Sequence, residues 1–409
     1  MLLVSWEYPP LVVGGLGRHV DALSRELAAS GHDVVVLTRG EAGAAVQEVR
    51  DGVRVRRSAV DPLAIDFTTE SLLAWAQAAE HSLVRAALPL VRRWRPDVIH
   101  AHDWLVAQTA ITIAEVTGAP LVATMHATEA GRHQGWLPRP LNLAIHSVER
   151  WLAHKASTII TCSSAMHDEV TRLFDKPADQ VAVIPNGIDP VLWRTTPRSR
   201  AVARSTRRGD GPLLVFAGRL VHEKGVQTLI DALPDVRRHW SHVRLTVAGT
   251  GPYMDELQAL ARRRRVARAI DWTGFMAEAD LAALFGAADA VVVPSIYEPF
   301  GLVALEAAAA HAPLVVTDTG GLSDLVMAGA VGAACPPDDA DALAKAIGTV
   351  LDDPEAARRA AARAARLVRR EYTWQAVTAR TVEVYAGAQR GGRLSRAAVA
   401  QPPARTRRG

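Results

Sequence analysis

The sequence predicts an α/β protein of two doubly wound, Rossmann-like domains that face each other across a cleft. Three observations carry this. A chain of 409 residues is too long for one ordinary core. Short apolar runs alternate with helical periodicity twice over, the pattern of parallel sheets covered by helices. Between the two series lies a basic stretch, residues 194–211, with Pro197, Gly209 and no apolar periodicity, which reads as a linker.

In the first half, strands are expected at residues 2–6, 33–38, 53–56, 98–101, 121–124, 158–162 and 181–184, with the clearest helices at 20–30 and 70–94. Asn186-Gly187-Ile188-Asp189 closes this half with a turn. The second half offers strands at 213–217, 244–248, 270–273, 290–293, 314–317 and 333–335, then a highly charged helix at 358–370 and an amphipathic one at 374–388. The expected division is 1–193, linker 194–211, a second domain 212–371, a final helix 372–390 returning to the first domain, and a disordered basic tail 391–409.

With 49% hydrophobic and 22% charged residues the composition is that of a soluble globular protein. The net charge of +4 is concentrated in the linker (Arg194, Arg198, Arg200, Arg204, Arg207, Arg208) and in the tail after Glu383 (Arg390, Arg393, Arg396, Arg405, Arg407, Arg408). Without them the body is mildly acidic, which argues against nucleic acid and leaves weak contact of the tail with anionic membrane. Cys162 and Cys335 lack metal-ligand spacing, and no targeting signal or apolar run long enough to span a membrane is present, so a reducing cytoplasm is the expected compartment. Because the chain begins almost inside its first strand, the true start is expected to lie a few residues upstream.

Three constellations carry chemistry. Glu298 and Glu306 flank a strand-to-helix turn, with Phe300, Gly301 and Leu302 offering backbone N–H groups at a helix start, and Glu306 expected about two turns in. Arg219 and Lys224 follow the strand at 213–217, where a fork and a point charge can converge on one anion, or simply be solvated beside Glu223. Gly14-Gly15-Leu16-Gly17-Arg18-His19 lets backbone approach a phosphate, although Val20 replaces the third small residue that a dinucleotide fingerprint requires. His102, Asp103 and His126 follow strands of the first half and suit sugar hydroxyls. Zinc is the alternative, but the spacing lacks an i, i+4 helical pair, and His100 reads as a core residue.

Together with Trp6-Glu7-Tyr8-Pro9-Pro10, His102-Asp103-Trp104, His126-Ala127-Thr128-Glu129-Ala130-Gly131-Arg132, Pro185-Asn186-Gly187-Ile188-Asp189 and Tyr297-Glu298-Pro299-Phe300-Gly301-Leu302, these segments resemble the retaining glycosyltransferases of family 4 with the GT-B fold, in particular the actinobacterial glycogen-synthase-like α-1,4-glucosyltransferases. The resemblance covers the chain to about residue 388. It implies transfer of glucose from UDP-glucose or ADP-glucose to the 4-hydroxyl of an α-1,4-glucan acceptor; no acidic cluster in the sequence looks like a nucleotide-metal site, so no metal or cofactor is expected. Arg219 and Lys224 would hold the donor diphosphate, Gly14 and Gly15 approach it, Glu306 bind the ribose, Glu298 the hexose and His126 the sugar near the reacting carbon. His102, Asp103 and Glu129 would serve the acceptor or sugar. The place of a lysine found in ADP-glucose-using enzymes of this kind is Val12 here. Asp339-Ala340-Asp341 matches the metal pair of another glycosyltransferase class but stands where a helix cap is expected. The alternatives are a mannosyl- or other hexosyltransferase with a lipid or small-molecule acceptor, a sugar-nucleotide epimerase, and a non-catalytic glucan-binding protein.

Overall fold

The computed structural model describes residues 1–11, 14–60, 62–206 and 210–391. Its described residues divide into two compact units, one of residues 1–187 with residues 374–391, the other from Ile188 to Thr373.

The strands of unit 1 are β1 (Leu2–Ser5), β2 (Val35–Thr38), β3 (Gln47–Arg50), β4 (Val53–Arg57), β5 (Ile99–His102), β6 (Leu121–Met125), β7 (Thr158–Thr161) and β8 (Val181–Val183). They form one sheet in the order β3-β4-β2-β1-β5-β6-β7-β8, parallel throughout except that β3 runs antiparallel to β4. Helices α1 (Gly15–Ala29), α2 (Leu72–Arg93), α3 (Ala107–Thr117), α4 (Glu129–Arg132), α5 (Pro140–Lys155) and α6 (Ser164–Phe174) provide the connections. Strands β1, β2, β5, β6 and β7 are buried along their whole length, as expected of strands covered on both faces. Leu23 and Leu27 of α1 share one buried core with Leu3, Val36 and Val122, each such side chain contributing about 1.5–3 kcal/mol.

Strand β3 was not expected from the sequence. Its residues are mostly exposed, so no apolar run marks it, and it is held to β4 by a two-residue turn in which Asp51 and Gly52 both have positive φ, 50° and 80°. Helix α1 starts at Gly15, five residues before the apolar pattern at Val20, with Gly14 as its extended N-cap.

Unit 2 opens with α7 (Pro197–Ser205), followed by β9 (Leu213–Ala217), α8 (Val226–His239), β10 (Arg244–Ala248), α9 (Met254–Arg263), β11 (Ile270–Gly274), α10 (Glu278–Ala287), β12 (Ala290–Val293), α11 (Leu302–Ala309), β13 (Leu314–Thr317), α12 (Leu322–Met327), β14 (Ala333–Cys335), α13 (Ala340–Asp352) and α14 (Pro354–Glu371). Its sheet is all parallel in the order β11-β10-β9-β12-β13-β14. The stretch expected as a linker therefore contains a helix and belongs to unit 2. Thr196 and Ser199 form a reciprocal capping box with Pro197 at the first turn, and Arg204 binds Asp289 at 2.7 Å and the Ala287 carbonyl at 3.0 Å. The basic tail lies outside the described residues.

Helix α15 (Trp374–Gln389) packs on unit 1 through Val377, Val384, Tyr385 and Ala388. The buried Tyr385 hydroxyl lies 2.7 Å from Nδ1 of His100, whose other ring nitrogen meets Thr124 at 2.7 Å, so His100 is a satisfied core residue.

Candidate active site

In an open parallel sheet, ligands bind beyond the strand C-termini where the strand order reverses. In unit 2 this point lies between β9 and β12, and in unit 1 between β1 and β5. Arg219 and Lys224 follow β9, Glu298 follows β12, the Gly14-Gly15 segment follows β1, and His102 ends β5. These groups emerge at the switch point of their own sheets, whereas His126 and Glu129 follow the next strand, β6.

In unit 2 the loops after β9 and β12 are joined by backbone. The amides of Ile296 and Tyr297 donate to the Glu223 carbonyl at 2.8 and 3.3 Å, and Gly225 at φ 70° sits where a Cβ would lie 1.8 Å from the Pro294 oxygen. This contact brings the Lys224 ammonium 2.7 Å from Oε2 of the nearly buried Glu298, which also accepts from the Ser295 hydroxyl at 3.1 Å. Arg219 does not share that partner. Its side chain is 75% exposed and lies 3.7 Å from Glu223, a separation at which the contribution is small. The Glu298 carbonyl accepts from Gly321 at 2.8 Å, and Gly320 leaves no room there for a side chain. Gly301, at φ 99°, is the N-cap of α11, so the amides of Leu302 and Val303 begin the helix without intrahelical acceptors. Glu306 is the fifth residue of α11, little more than one turn in rather than two.

In unit 1 four histidines cluster. The rings of His19 and His126 are 4.8 Å apart edge to face, those of His102 and His126 stack at 5.7 Å, and Nδ1 of His102 is 3.4 Å from Nε2 of His126. Burial pushes the His126 imidazole down to about 4, with Arg132 adding to it, and burial also holds His19, His100 and His102 well below the ordinary range. At neutral pH these rings are neutral, and those of His19, His102 and His126, unlike the fully engaged His100, can both donate to and accept from hydroxyl groups. Asp103 fixes the next turn: its Oδ1 accepts from the His126 amide at 2.8 Å, and burial raises its carboxyl to about 6. Its backbone, at φ 64° and ψ 174°, lies in a region essentially reserved for glycine, which costs about 1–3 kcal/mol.

His19 was not a candidate ligand in the sequence reading, yet His19, His102 and His126 form the one group of three among the described residues whose ligating atoms, all within 4.8 Å, could hold a cation. By contrast, Asp339 is the N-cap of α13, accepting from the Ala342 amide at 2.9 Å. The Gly14 amide donates to Glu7 at 3.1 Å, while Val12 lies outside the described residues.

Asn142 and Glu149, which support Glu129, were not apparent from the sequence. Glu129 is held by Asn142, 2.6 Å from Oε1, and its amide donates to Glu149 at 2.8 Å. The signal for Glu149 was its place on the apolar face of α5, with Ile145 four residues before and Leu152 three after. Burial first, then Asp103 and Glu129, raise the Glu149 carboxyl to about 8 from the usual 4.5. Between those values the folded protein keeps a proton that the unfolded chain releases, so this group's contribution to stability declines as pH rises, by up to about 1.4 kcal/mol per pH unit. Around pH ~6.5 the unfolded histidines still release protons that the buried rings do not hold, which acts in the opposite direction, but that part is common to the unsubstituted protein and to a Glu149 variant and cancels in their comparison. Glu149→Gln is therefore expected to flatten the decline in melting temperature between pH ~6.5 and ~8.5. A variant profile as steep as that of the unsubstituted protein would refute the assignment.

Comparison with known proteins agrees with this architecture. The pattern of the family described as "Glycosyltransferase Family 4" matches residues 13–192, and that described as "Glycosyl transferases group 1" matches residues 198–367. The chain is 48% identical over 404 residues to the glycogen synthase of Mycobacterium tuberculosis (strain ATCC 25618 / H37Rv), covering 96% of each chain. It is 32% identical over 399 residues to the D-inositol 3-phosphate glycosyltransferase of Kineococcus radiotolerans, covering 91% of this chain and 90% of the other. Among solved structures, sucrose-phosphate synthase from Thermosynechococcus elongatus superimposes with a TM-score of 0.80 at 24% identity, covering 94% of this chain and 98% of that one. No helix among the described residues is long and apolar enough to cross a membrane. The chain belongs to the GT-B glycosyltransferases of family 4 and group 1, in the part of that family that contains the mycobacterial glycogen synthase.

Proposed function

We propose that this enzyme transfers glucose from a nucleotide diphosphate glucose to the non-reducing 4-hydroxyl of an α-1,4-glucan in the cytoplasm, with retention of configuration and without a metal or cofactor. The observation that carries the substrate assignment is the near full-length similarity to a glycogen synthase. In this reading Lys224 and Arg219 stabilise the diphosphate as charge develops on it during departure, since fixed charges act best where negative charge appears only in the transition state. The α11 amides and Glu306 hold the remainder of the donor, and Glu298 orients both the hexose and the Lys224 ammonium.

The contact between Lys224 and Glu298 supports a positioning role for the carboxylate: an oxygen engaged by an ammonium and a hydroxyl is a weakened nucleophile. The leaving phosphate oxygen then takes the incoming hydroxyl's proton on the same face of the ring, and configuration is retained without an enzyme ester. Gly14 and Gly15 approach the donor through backbone, while neutral His126 and His102, with Asp103 and Glu129, supply hydrogen bonds to sugar hydroxyls.

A second reading, transfer to a small-molecule acceptor, is favoured by the similarity to an inositol-phosphate glycosyltransferase. Nucleotide release from UDP-, ADP- and GDP-glucose, measured with glycogen and separately with inositol phosphate, distinguishes the two. Release that requires glycogen is the expected outcome. Release that requires inositol phosphate instead would replace the glucan assignment, and product without any acceptor would point to an epimerase.

A further inference from the structure

Beyond the donor site, unit 2 contains a cavity of about 270 Å³ whose lining includes Arg194, Thr195, Arg200, His311 and Arg369, with no acidic residue. It is assembled from the segment before α7, from α7 itself, from the end of α11 and from the last turn of α14. Helix α11 packs on α14 and α7 on α10, so the wall rests on packed elements.

Three arginines line one small cavity, and none forms an ion pair with a described residue. Arg204 in the same helix, by contrast, is matched to Asp289 at 2.7 Å. The carbonyls ending α11 favour a nearby cation by about 0.3–1 kcal/mol, which accounts for one positive group and not for three. The backbone adds a second sign of construction. His311 follows the α11 C-cap at φ 61°, a left-handed conformation uncommon for a residue with a Cβ, and in it the imidazole joins the lining. The stem of Arg200 lies against Gly286, where a Cβ would come 3.0 Å from its Cδ. Burial, then Arg369 and Arg200, lower the His311 pKa, so at neutral pH the ring offers a neutral donor and acceptor.

We propose that this cavity is a second anion site, for a small phosphorylated ligand such as a phosphomonoester dianion, bound by the forks of Arg194, Arg200 and Arg369 with Thr195 and His311 completing the hydrogen bonding. Guanidinium groups match phosphate oxygens in pairs, and the volume admits a phosphate with a small substituent and not a whole sugar nucleotide. The donor turn lies at the other end of α11, about 12 Å along its axis, so the two sites are separate.

Isothermal titration with inorganic phosphate, and in parallel with a hexose monophosphate, tests this on the full-length protein at constant ionic strength. Three forms are compared: unsubstituted, Lys224→Ala, and the double variant Arg194→Gln/Arg369→Gln. Arg194 and Arg369 are exposed, so the double variant should fold, as its near-ultraviolet dichroism and its binding of nucleotide diphosphate will verify. The expected result is one-to-one binding in the first two forms and at least ~10-fold weaker binding in the double variant. Equal affinity for both probes would mean that the phosphoryl group alone is read, and tighter binding of the ester that the substituent contributes. Binding abolished by Lys224→Ala and unchanged in the double variant would assign the anion to the donor site and overturn the proposal, as would absence of binding in the unsubstituted protein.

Discussion

Replacing Lys224 by alanine is expected to lower turnover by about a hundredfold or more, the scale of losing one preorganised charge at a developing anion. The ammonium is held 2.7 Å from Glu298, and that carboxylate is in turn fixed by Ser295. Alanine removes the positive charge and also leaves a nearly buried carboxylate with the Ser295 hydroxyl as its side-chain hydrogen-bond donor among the described residues, so binding of the hexose should weaken as well. Steady-state kinetics with saturating glucan provide the measurement. Turnover within a fewfold of the unsubstituted protein would remove Lys224 from the mechanism. Mass spectrometry of the same reaction with a slow donor analogue adds a separate check, since a glycosyl ester on Glu298 would overturn the same-face account.

Gly225→Ala should damage the site without touching any chemical group. Two costs combine at this position: the left-handed φ of 70°, roughly 1–2 kcal/mol for a residue with a Cβ, and a Cβ placed 1.8 Å from the Pro294 oxygen. Because the overlap is with backbone, the β9 and β12 loops must separate, which breaks the bonds from Ile296 and Tyr297 to Glu223 and parts Lys224 from Glu298. A loss of about 3 kcal/mol or more in urea unfolding is expected, together with loss of donor binding. Gly329→Ala is the control, with φ 63° but no atom within 4 Å of the new Cβ, and should cost only the conformational part. Equal costs for the two variants would mean that the loop contact is not what Gly225 supports.

Much of the architecture could be read from the sequence because buried parallel strands are nearly continuous apolar runs. Residues 290–293 and 314–317 are examples, and the glutamate, arginine and lysine placed after such runs emerge at strand C-termini. The failures have physical reasons. Strand β3 has no apolar face, and its Asp-Gly turn was the one usable signal. Helix α7 was read as linker because Pro197 and repeated arginines suggest a break, whereas proline at the first turn and a capping box start a helix. Periodicity could not bring His19 beside His126, since that contact depends on how α1 lies against β6, and it could not divide Arg219 from Lys224, since partner choice is settled by loop geometry.

The strained backbone of Asp103 has an evolutionary consequence. A glycine there would relieve the conformational cost and stabilise unit 1, yet it would remove the carboxylate that anchors the His126 amide. Selection for thermal robustness alone would therefore drive this position toward glycine, and, under the proposed function, selection for sugar binding would hold it at aspartate. Variants of this enzyme evolved for heat tolerance without an activity screen should lose their function first at this position.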